Sequence, residues 1–553
     1  MPVMATTSFS AGKAAGGVVV AAPNPLAADA GTRAGAQGGN AVDVAVAAVL
    51  VALASEPGVA SLGGGAFLTI APAGARSAVT VDGSVEMPGR GLPGDAFGAG
   101  LRDVLIGYGG GTAMSVGHGS VATPGALAAF EEAHRRYGRL PWRLLVEPAT
   151  EVAESGFPLG TAAEAYLEHA RDPVFGWSPA TRAALHHSDG RPFRAGETMR
   201  IDGLADFLAA VAEQGSAALH RGEVARAIAA DMAENGGLLT AADLADYRPV
   251  VRPALPVRAG RWRLGTNPAP SIGGPLLAAM VLLMEGRPAG PWTPEDVAHL
   301  VQVQLAVLRH RPEHRADVRA RSRTVAALLS GILAGGQRWR GSPSTLHVSA
   351  VDAQGAACAV TASSGYGSGV CAPGTGVWLN NCLGEHELTP GGRHDLPPGR
   401  RLISNMAPTV GRRDDGAVLA IGSPGAERIT TALLQVLAPL VADPPPTGPS
   451  RWRRTGPGNE PMSVDADWLQ RTIDRPRLHV RLGDGTRQPV VDHEADLSEH
   501  LPGDLSALVP GVDWQQHPAR SMYFGGVCAA MRDASGALFS AADPRRNGAT
   551  AST

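Results

Sequence analysis

The sequence predicts a mixed α/β (α+β) protein in which layers of helix pack on sheet. Helical patterns dominate the first part of the chain, and short alternating strands follow residue 345. Glycine-rich turns lie beside apolar segments, and glycine lets buried backbones approach closely. With 553 residues, 44% of them hydrophobic, the chain is long enough to bury a large core.

The elements of the first half follow from hydrophobic spacing. The alanine-rich segment 40–54 is apolar on nearly every face, which predicts a buried helix. A glycine-dense turn leading into a buried strand is predicted over 58–71. Apolar residues spaced by three and four predict helices over 125–138 and 141–156, each ending at a glycine. The stretch 160–340 is predicted to be mostly helical.

Composition and charge exclude several functional classes. The formal net charge of −3 gives no electrostatic footprint for nucleic acid or for an anionic membrane surface. The four cysteines show neither a C-x-x-C pair nor zinc spacing, which favours reduced thiols and predicts no metal site. No basic segment followed by an apolar run opens the chain, so we expect a cytoplasmic protein. The Pro/Gly/Arg-rich stretch 443–460 is predicted to be a surface loop insertion.

The stretch T-L-H-V-S-A-V-D, residues 345–352, begins a predicted β-hairpin. Side chains along it alternate between the two faces of a strand, and D-A-Q-G at 352–355 supplies the turn. Residues 356–363 return as the second strand. The histidine within the first strand, His347, is interpreted as a packed strand residue.

The hairpin brings a second hydroxyl close to Thr345. Pairing Val351 with Ala356 places both Thr361 and Ser363 within about one residue of register from Thr345, and the spacing leaves open which of the two faces it. A threonine hydroxyl is a poor nucleophile without a base, and no motif supplies a His/Asp pair. Cleavage of the bond before Thr345 would free an α-amine whose pKa lies near 8, and that amine can serve as the base.

Further blocks of sequence occur in a fixed order along nearly the whole chain. In the first half they are A-A-P-N-P-L-A-A-D-A-G (21–31), G-G-N-A-V-D-V-A-V-A-A (38–48), S-L-G-G-G-A-F-L (61–68), V-A-T-P-G-A-L-A-A-F (121–130) and N-P-A-P-S-I-G-G-P-L-L (267–277). In the second half they are T-L-H-V-S-A-V-D (345–352), G-R-R-L-I-S-N-M-A-P-T (399–409), G-S-P-G-A-E-R-I-T-T (422–431) and A-A-D-P-R-R-N-G (541–548). With these blocks in this order, the chain resembles the gamma-glutamyltransferase family of N-terminal-nucleophile hydrolases.

The resemblance implies a four-layer αββα sandwich that is made as one precursor, or zymogen. The precursor would cleave itself between Ser344 and Thr345 into a large subunit, 1–344, and a small subunit, 345–553. The two subunits would form one intertwined domain and remain together as a heterodimer. The resemblance implies neither a cofactor nor a metal.

The same resemblance assigns the catalytic residues. Thr345 would be both the new N-terminus and the nucleophile. Ser363 matches the position of a family threonine that supports the nucleophile. Gly425 and Ala426 match a Gly-Gly pair whose backbone N–H groups hold the oxyanion, and an alanine can still donate its N–H.

The substrate-binding positions depart from the family pattern. Ser84, in D-G-S-V-E-M-P, occupies or adjoins the place of the arginine that holds the substrate α-carboxylate. Ser404 and Asn405 stand where the family has a serine pair. In N-N-C-L-G-E, Cys382 replaces a glutamine of the α-amine site, and Glu385 can stand for its acidic residue.

Three functions remain open at the level of sequence. The first is a hydrolase or acyltransferase acting on γ-glutamyl-type amides, as in glutathione metabolism. The second keeps the nucleophile but acts on a small amino-acid-derived intermediate in a natural-product or antibiotic pathway, with carbon–carbon cleavage as one form. The third is an inactive scaffold. Unless another cation such as Arg90 or Arg401 replaces the missing arginine, we expect glutathione to be a poor substrate.

Overall fold

The computed structural model describes residues 17–107, 111–284, 292–309, 345–385, 396–442, 464–482, 488–501 and 505–553. In this part of the chain the α-helices are α1 (Pro25–Ala36), α2 (Ala41–Ser55), α3 (Ala126–Tyr137), α4 (Trp142–Ser155), α5 (Thr161–Ala170), α6 (Pro179–Ala184), α7 (Leu204–Gln214), α8 (Ala217–His220), α9 (Gly222–Glu234), α10 (Ala241–Asp246), α11 (Gly273–Leu283), α12 (Pro294–Arg309), α13 (Arg428–Val441), α14 (Ala466–Asp474) and α15 (Ala495–His500). Among these helices, none combines the length and the apolar character needed to cross a bilayer.

Two large antiparallel sheets form the centre of the fold, with strands numbered in chain order. The first has the spatial order β20 (Ala549–Ser552), β1 (Val18–Ala22), β11 (Leu346–Asp352), β12 (Ala357–Ser363), β2 (Gly65–Ala71), β3 (Val79–Gly83) and β8 (Val250–Pro253). The second has the order β19 (Leu538–Ala542), β18 (Cys528–Arg532), β14 (Val418–Gly422), β13 (Thr409–Arg413), β10 (Trp262–Thr266) and β9 (Leu255–Ala259).

Three smaller sheets lie outside this centre. They are β15 (Leu478–Arg481) with β16 (Val490–Glu494) and β17 (Asp513–His517), then β4 (Arg102–Ile106) with β5 (Thr112–Val116), and β6 (Phe157–Pro158) with β7 (Thr198–Met199). The pair β16–β17 is parallel, whereas the strand pairs of both large sheets are antiparallel.

Apolar clusters show how the layers are ordered. One cluster joins the first sheet to α1, α2, α3 and α4, and another joins the second sheet to α11, α12, α13 and α14. Between the sheets lies a thin layer of small side chains, among them Val351 and Ala359 from the first sheet and Val418 and Ala420 from the second. Each large sheet therefore packs against its own set of helices, and the predicted mixed α/β class is confirmed.

Helix α2 shows how the sequence produces this packing. Asn40 caps it by accepting hydrogen bonds from the N–H groups of Val42 and Asp43, and Asp43 in turn accepts from the N–H of Asn40. All fifteen of its residues are buried, as the apolar pattern predicts. A Cβ built on Gly31 would lie 3.2 Å from Val44 Cγ1, so glycine permits the close approach of α1 to α2.

The hairpin at residue 345 is confirmed, but its register differs by one residue from the sequence prediction. Val351 pairs with Ala357 rather than with Ala356, and Leu346 pairs with Ala362. Asp352 tightens the turn by accepting a hydrogen bond from the N–H of Ala356 over 2.8 Å. Because Ala356 belongs to this turn, it does not reach the ladder.

The prediction that 160–340 is mostly helical is wrong over 250–266. Strands β8, β9 and β10 lie there, and β9 and β10 form an edge hairpin of the second sheet. Buried Val257, Trp262 and Leu264 alternate with arginines, which is the period-two pattern of a half-buried strand. The predicted insertion 443–460 lies outside the described residues, and the subunit boundary stays a prediction.

Candidate active site

Thr345 lies at the start of β11, near the middle of the first sheet. Its side chain is only 4% exposed, and its Oγ1 donates a hydrogen bond to Ser363 Oγ over 3.2 Å. Ser363 is the last residue of β12, and its Oγ also accepts from the N–H of Gly365 over 3.2 Å. Of the two hydroxyl residues that the hairpin spacing left open, Ser363 is therefore the one in contact with Thr345. Ser344, on the other side of the predicted cleavage bond, lies outside the described residues.

His347 and Thr361 form a separate buried cluster. The His347 ring has Thr361 Oγ1 2.8 Å from Nδ1 and Ser349 Oγ 2.9 Å from Nε2. Burial lowers the pKa of His347 to about 3, so the ring is neutral at physiological pH. A Cβ built on Gly422 would collide with this ring. Since both nitrogens are occupied, the structure places His347 as a packed strand residue.

Gly425 and Ala426 join β14 to α13. Neither backbone N–H donates to an acceptor in the described part of the chain. Their carbonyl groups accept from the N–H groups of Arg428 and Ile429, so the two residues lie at the positive N-terminal end of a 14-residue helix. Two N–H groups in this position suit a developing oxyanion.

The backbone at this turn is unusual. Gly425 has φ 122° and Ala426 has φ 56°, which places an alanine in the left-handed region. This region favours glycine because it brings Cβ close to the backbone. Ala426 lines the cleft that contains Thr345. Ala426 therefore combines an open N–H with a strained backbone.

One cleft brings nearly all the predicted site residues together. Its walls are formed by Gly65, Ser84, Val85, Thr345, Ser363, Cys382, Glu385, Ile403, Ser404, Asn405, Met406, Ala426 and Ile429. Gly425 directly precedes Ala426 and lies outside this wall. Sequence reasoning missed the apolar part, above all Ile403, Met406 and Ile429, because these residues carry no chemical signal of their own.

Glu385 is the charged side chain in the wall of this cleft. A Cβ built on Gly365 would collide with Glu385 Oε1 and with Asn381 Oδ1, so a glycine with φ 63° gives the carboxylate its place. Burial and then the Glu385 charge raise the pKa of Cys382 well above its usual value. Cys382 is therefore a neutral thiol, and it adds apolar surface to the cleft.

The two arginines considered as replacement cations lie outside the cleft wall. Arg401 stacks on Tyr247 at 4.4 Å, and its Nη1 lies 2.8 Å from the Ser84 carbonyl oxygen and 3.1 Å from Glu86 Oε1. The Tyr247 hydroxyl donates to the same carbonyl over 2.7 Å. Arg401 therefore holds the Ser84 backbone while its own side chain lies outside the cleft wall.

Arg90 also points elsewhere. Its Nη1 lies 3.2 Å from Asp243 Oδ1, and its Nη2 lies 3.7 Å from Glu86 Oε2. Neither arginine thus supplies the positive charge that a substrate carboxylate would need. Local spacing does not indicate the contacts of Arg401, because its partners lie more than 150 residues away along the chain.

Ser404 and Asn405 are held against the start of α11. The Ser404 carbonyl accepts from the N–H of Ile272 over 2.9 Å and from Ser271 Oγ over 3.0 Å. A Cβ built on Gly273 would collide with the Asn405 carbonyl, which requires glycine at that contact. Ser404 Oγ in turn accepts a hydrogen bond from the N–H of Met406 over 3.2 Å, and both Ser404 and Asn405 line the cleft.

A second cleft lies on another side of Thr345. Its walls are formed by Pro23, Glu56, Val59, Ala162, Thr345, Leu346, His347, Pro424, Gly526, Cys528, Asp543, Arg546 and Gly548. Glu56 follows the last residue of α2, and its Oε1 accepts from Asn24 Nδ2 over 2.7 Å. Burial raises the pKa of Glu56 to about 7, against the lowering effects of Asn24 and Arg546. Sequence reasoning missed Glu56.

No group of three or more metal-ligating side chains lies together in the described residues. The site offers the hydroxyl of Thr345, the supporting hydroxyl of Ser363 and the two open N–H groups of the Gly425–Ala426 turn. This combination is suited to acyl transfer, in which a nucleophile attacks a carbonyl and the oxygen becomes negative.

The sequence is similar to those of known proteins. The sequence model of the family described as gamma-glutamyltranspeptidase matches residues 27–553. The acylase ACY 1 proenzyme of Pseudomonas sp. (strain V22) is 31% identical over 455 residues, which cover 76% of this chain and 79% of the relative. The glutathione hydrolase proenzyme of Pseudomonas aeruginosa is 28% identical over 471 residues, with the same two coverages.

The fold also matches solved structures. The crystal structure of cephalosporin acylase from Bacillus halodurans superposes with a TM-score of 0.74 at 22% identity, covering 100% of this chain and 99% of that one. At this identity the likeness concerns the fold alone.

Proposed function

The chain belongs to the gamma-glutamyltranspeptidase family of hydrolytic and transferase enzymes, and from this premise we propose that it is a self-processing amide hydrolase or acyltransferase whose nucleophile is Thr345. One observation carries the proposal: Thr345 Oγ1 donates to Ser363 Oγ over 3.2 Å in a cleft that the Gly425–Ala426 turn adjoins. The relatives named as proenzymes support a chain that is made as a precursor.

Cleavage between Ser344 and Thr345 gives the nucleophile its base. The freed α-amine of Thr345 has an ordinary pKa near 8, so a useful fraction is neutral at pH 7 to 8. This amine accepts the proton of Oγ1 as the oxygen attacks the substrate carbonyl. Ser363 holds the hydroxyl in place during the attack.

The reaction then proceeds through an acyl-enzyme. The bond between Oγ1 and the carbonyl carbon forms, and the negative oxygen accepts hydrogen bonds from the N–H groups of Gly425 and Ala426. The C–N bond breaks as the leaving amine takes the proton back from the α-ammonium group. Water or another amine then attacks the ester and releases Thr345.

The cleft favours a substrate other than glutathione. Glu385 offers a negative charge that suits a substrate amine, whereas Arg90 and Arg401 are bound to other groups. Leaving a substrate carboxylate without its partner costs roughly 2–5 kcal/mol, or about 30- to several-thousand-fold in affinity. Ile403, Met406 and Ile429 add an apolar wall. We therefore propose an amide whose acyl part carries an amine and apolar groups, in keeping with the acylase relatives.

The self-processing step is tested on a denaturing gel. We expect the purified 56.6 kDa chain to yield fragments of 344 and 209 residues (553 − 344 = 209), with Thr345 as the new N-terminus by mass spectrometry. Thr345→Ala abolishes cleavage and activity, Thr345→Ser retains both in reduced form, and Thr150→Ala on α4 serves as the control. A wild-type chain that is active while remaining uncut would overturn the proposed nucleophile.

The substrate class is tested on the processed protein with two anilides. One carries a γ-glutamyl group, and the other carries an apolar acyl chain with an amine but no α-carboxylate. We expect the second to react at least about 30-fold faster in kcat/KM, in line with the unpaired carboxylate. Faster turnover of the γ-glutamyl anilide would show that another cation binds the carboxylate.

A further inference from the structure

Self-cleavage needs a proton acceptor other than the α-amine of Thr345, because that amine exists only after the cut. Before cleavage the nitrogen of Thr345 belongs to a peptide bond, and an amide nitrogen is an N–H donor rather than a base. Ser363 can orient the hydroxyl of Thr345 over 3.2 Å, but a serine hydroxyl is too weak a base to remove its proton. The inference that follows rests on the proposed function. A proton acceptor for Thr345 must lie close to it, so the candidates are the titratable groups that share a cleft with Thr345.

The second cleft contains several titratable groups, and most are unsuited to the task. His347 has both ring nitrogens in hydrogen bonds, and burial lowers its pKa to about 3. Cys528 is a buried thiol whose pKa is raised to about 12, so it is not a thiolate. Arg546 is a permanent cation.

Asp543 of the same cleft is bound to arginines. Its Oδ2 lies 2.5 Å from Arg477 Nη2, and its Oδ1 lies 3.2 Å from Arg545 Nη1. Burial opposes ionisation, but these two cations hold the pKa of Asp543 below its usual value. A carboxylate in this state is a weak proton acceptor.

Glu56 is the remaining acid of the second cleft. It is 5% exposed, and its Oε1 accepts from Asn24 Nδ2 over 2.7 Å. Its Oε2 has no hydrogen-bond partner among the described residues, which leaves one oxygen open to accept a proton.

We propose that Glu56 is the general base of self-cleavage, accepting the proton that Thr345 Oγ1 loses, across the cleft that the two residues share. In this step Oγ1 bonds to the carbonyl carbon of residue 344, and the proton moves to the Glu56 carboxylate. The C–N bond to Thr345 breaks, and the nitrogen takes the proton from Glu56. Water then hydrolyses the ester, which releases the carboxyl terminus of the large fragment and restores the Thr345 hydroxyl beside its free amine.

The ionisation of Glu56 supports this role. Burial raises its pKa to about 7, so a substantial part is ionised at neutral pH and its basicity is much greater than that of an ordinary carboxylate. The titratable and charged groups that face it across the cleft come from β11, β18 and the C-terminal segment, and they are His347, Cys528, Asp543 and Arg546. The first two are neutral, so the charges that act on Glu56 belong to the last two.

Glu385 is the rival acid, because it shares the first cleft with Thr345. It lies against Gly365 and Asn381, on the side where the substrate is proposed to bind. The test must therefore separate these two carboxylates, and cleavage can be followed without any knowledge of the substrate.

The experiment follows cleavage of the full-length chain, labelled by cell-free synthesis and diluted into buffers from pH 5.5 to 9. For the wild type we expect a rate that rises about tenfold per pH unit below pH 7 and levels off above it, as a base with the pKa of Glu56 requires. Glu56→Gln should slow cleavage by about 100-fold or more and remove the rise with pH, while Glu56→Asp restores part of the rate.

Two further variants make the result specific. Glu86→Gln changes another buried acid with a raised pKa, outside both clefts, and should keep the wild-type profile. Glu385→Gln should keep the pH dependence of cleavage. The inference is overturned if Glu56→Gln, folded by circular dichroism, cleaves with the wild-type rate and profile, or if Glu385→Gln is the variant that loses the profile. A wild-type chain that is never cut before Thr345 contradicts the proposed function itself.

Discussion

Thr345 Oγ1 donates its hydrogen bond to Ser363 Oγ over 3.2 Å, across two neighbouring strands whose register pairs Leu346 with Ala362. Replacing Ser363 by alanine removes the acceptor that orients the nucleophile. A hydrogen bond of this kind contributes about 0.5–1.5 kcal/mol, so we expect kcat of the processed enzyme to fall by about tenfold. Ser363→Thr keeps the hydroxyl and should retain most of the activity. Equal losses in both variants would contradict an orienting role.

Ala426→Gly should stabilise the protein. The left-handed backbone of Ala426 costs roughly 1–2 kcal/mol, while glycine loses about 0.5–1 kcal/mol more conformational entropy on folding. The free energy of unfolding should therefore rise by roughly 0.5–1 kcal/mol, as measured by urea denaturation of the uncut Thr345→Ala chain. Ala420→Gly on the buried strand β14 is the control and should destabilise it. A loss of stability at residue 426 as well would show that the alanine conformation is unstrained.

Gly422→Ala should destabilise the centre of the fold. The added Cβ would collide with the His347 ring, which cannot turn away without losing its contacts with Thr361 and Ser349. Overpacking of this kind costs about 1–3 kcal/mol in the free energy of unfolding. Gly94→Ala, where the Cβ would meet no atom within 4 Å, should remain near the wild type. Similar midpoints for the two variants would contradict the close contact at Gly422.

His347 should make the protein less stable as the pH falls. Its pKa is about 3 in the folded protein and about 6.5 in the unfolded chain, so the unfolded chain alone binds a proton between these values. The stability it contributes is fully present above pH 6.5 and decreases by at most about 1.4 kcal/mol per pH unit towards pH 3. Urea denaturation at pH 7 and pH 5 should show a smaller difference for His347→Gln than for the wild type. Identical differences would place the pH sensitivity at other groups.

Glu385→Gln should weaken the binding of substrates that carry an amine. Hydrogen bonds to charged groups contribute about 1.5–3 kcal/mol, so KM for such an anilide should rise by about 10- to 150-fold. An anilide with the same acyl chain but no amine is the control, and its KM should stay nearly constant. A similar rise in KM for both anilides would indicate a general disturbance of the cleft.

Local patterns in the sequence predict much of the fold. The capping residue Asn40 and the apolar run after it specify α2, and the alternation after Thr345 specifies the hairpin. The register was one residue off because the turn can be closed at more than one place, and Asp352 decides between them through its bond to Ala356. At the site, the resemblance to a known family selected Ser363 over Thr361, whose hydroxyl lies instead against His347.

The remaining features depend on contacts between distant parts of the chain. Arg401 lies over Tyr247 and behind Ser84, and no local spacing indicates that its charge is used there rather than in the cleft. In the sequence, Glu56 is an ordinary acid that follows a helix. Only the folded structure shows that it shares a cleft with Thr345. Such residues are found only when segments separated by hundreds of positions are seen together.

The order of strands in the two sheets has a consequence for the life of the enzyme. Strand β1 lies between β11 and β20, and β13 pairs with β10, so under the proposed cleavage each large sheet contains strands of both products. The two products should not dissociate on dilution, because dissociation would break the hydrogen bonds between paired strands at the centre of the sheets. The cut also affects refolding. Once the processed protein is denatured, its two fragments are no longer joined by a peptide bond and must associate again before both sheets can form.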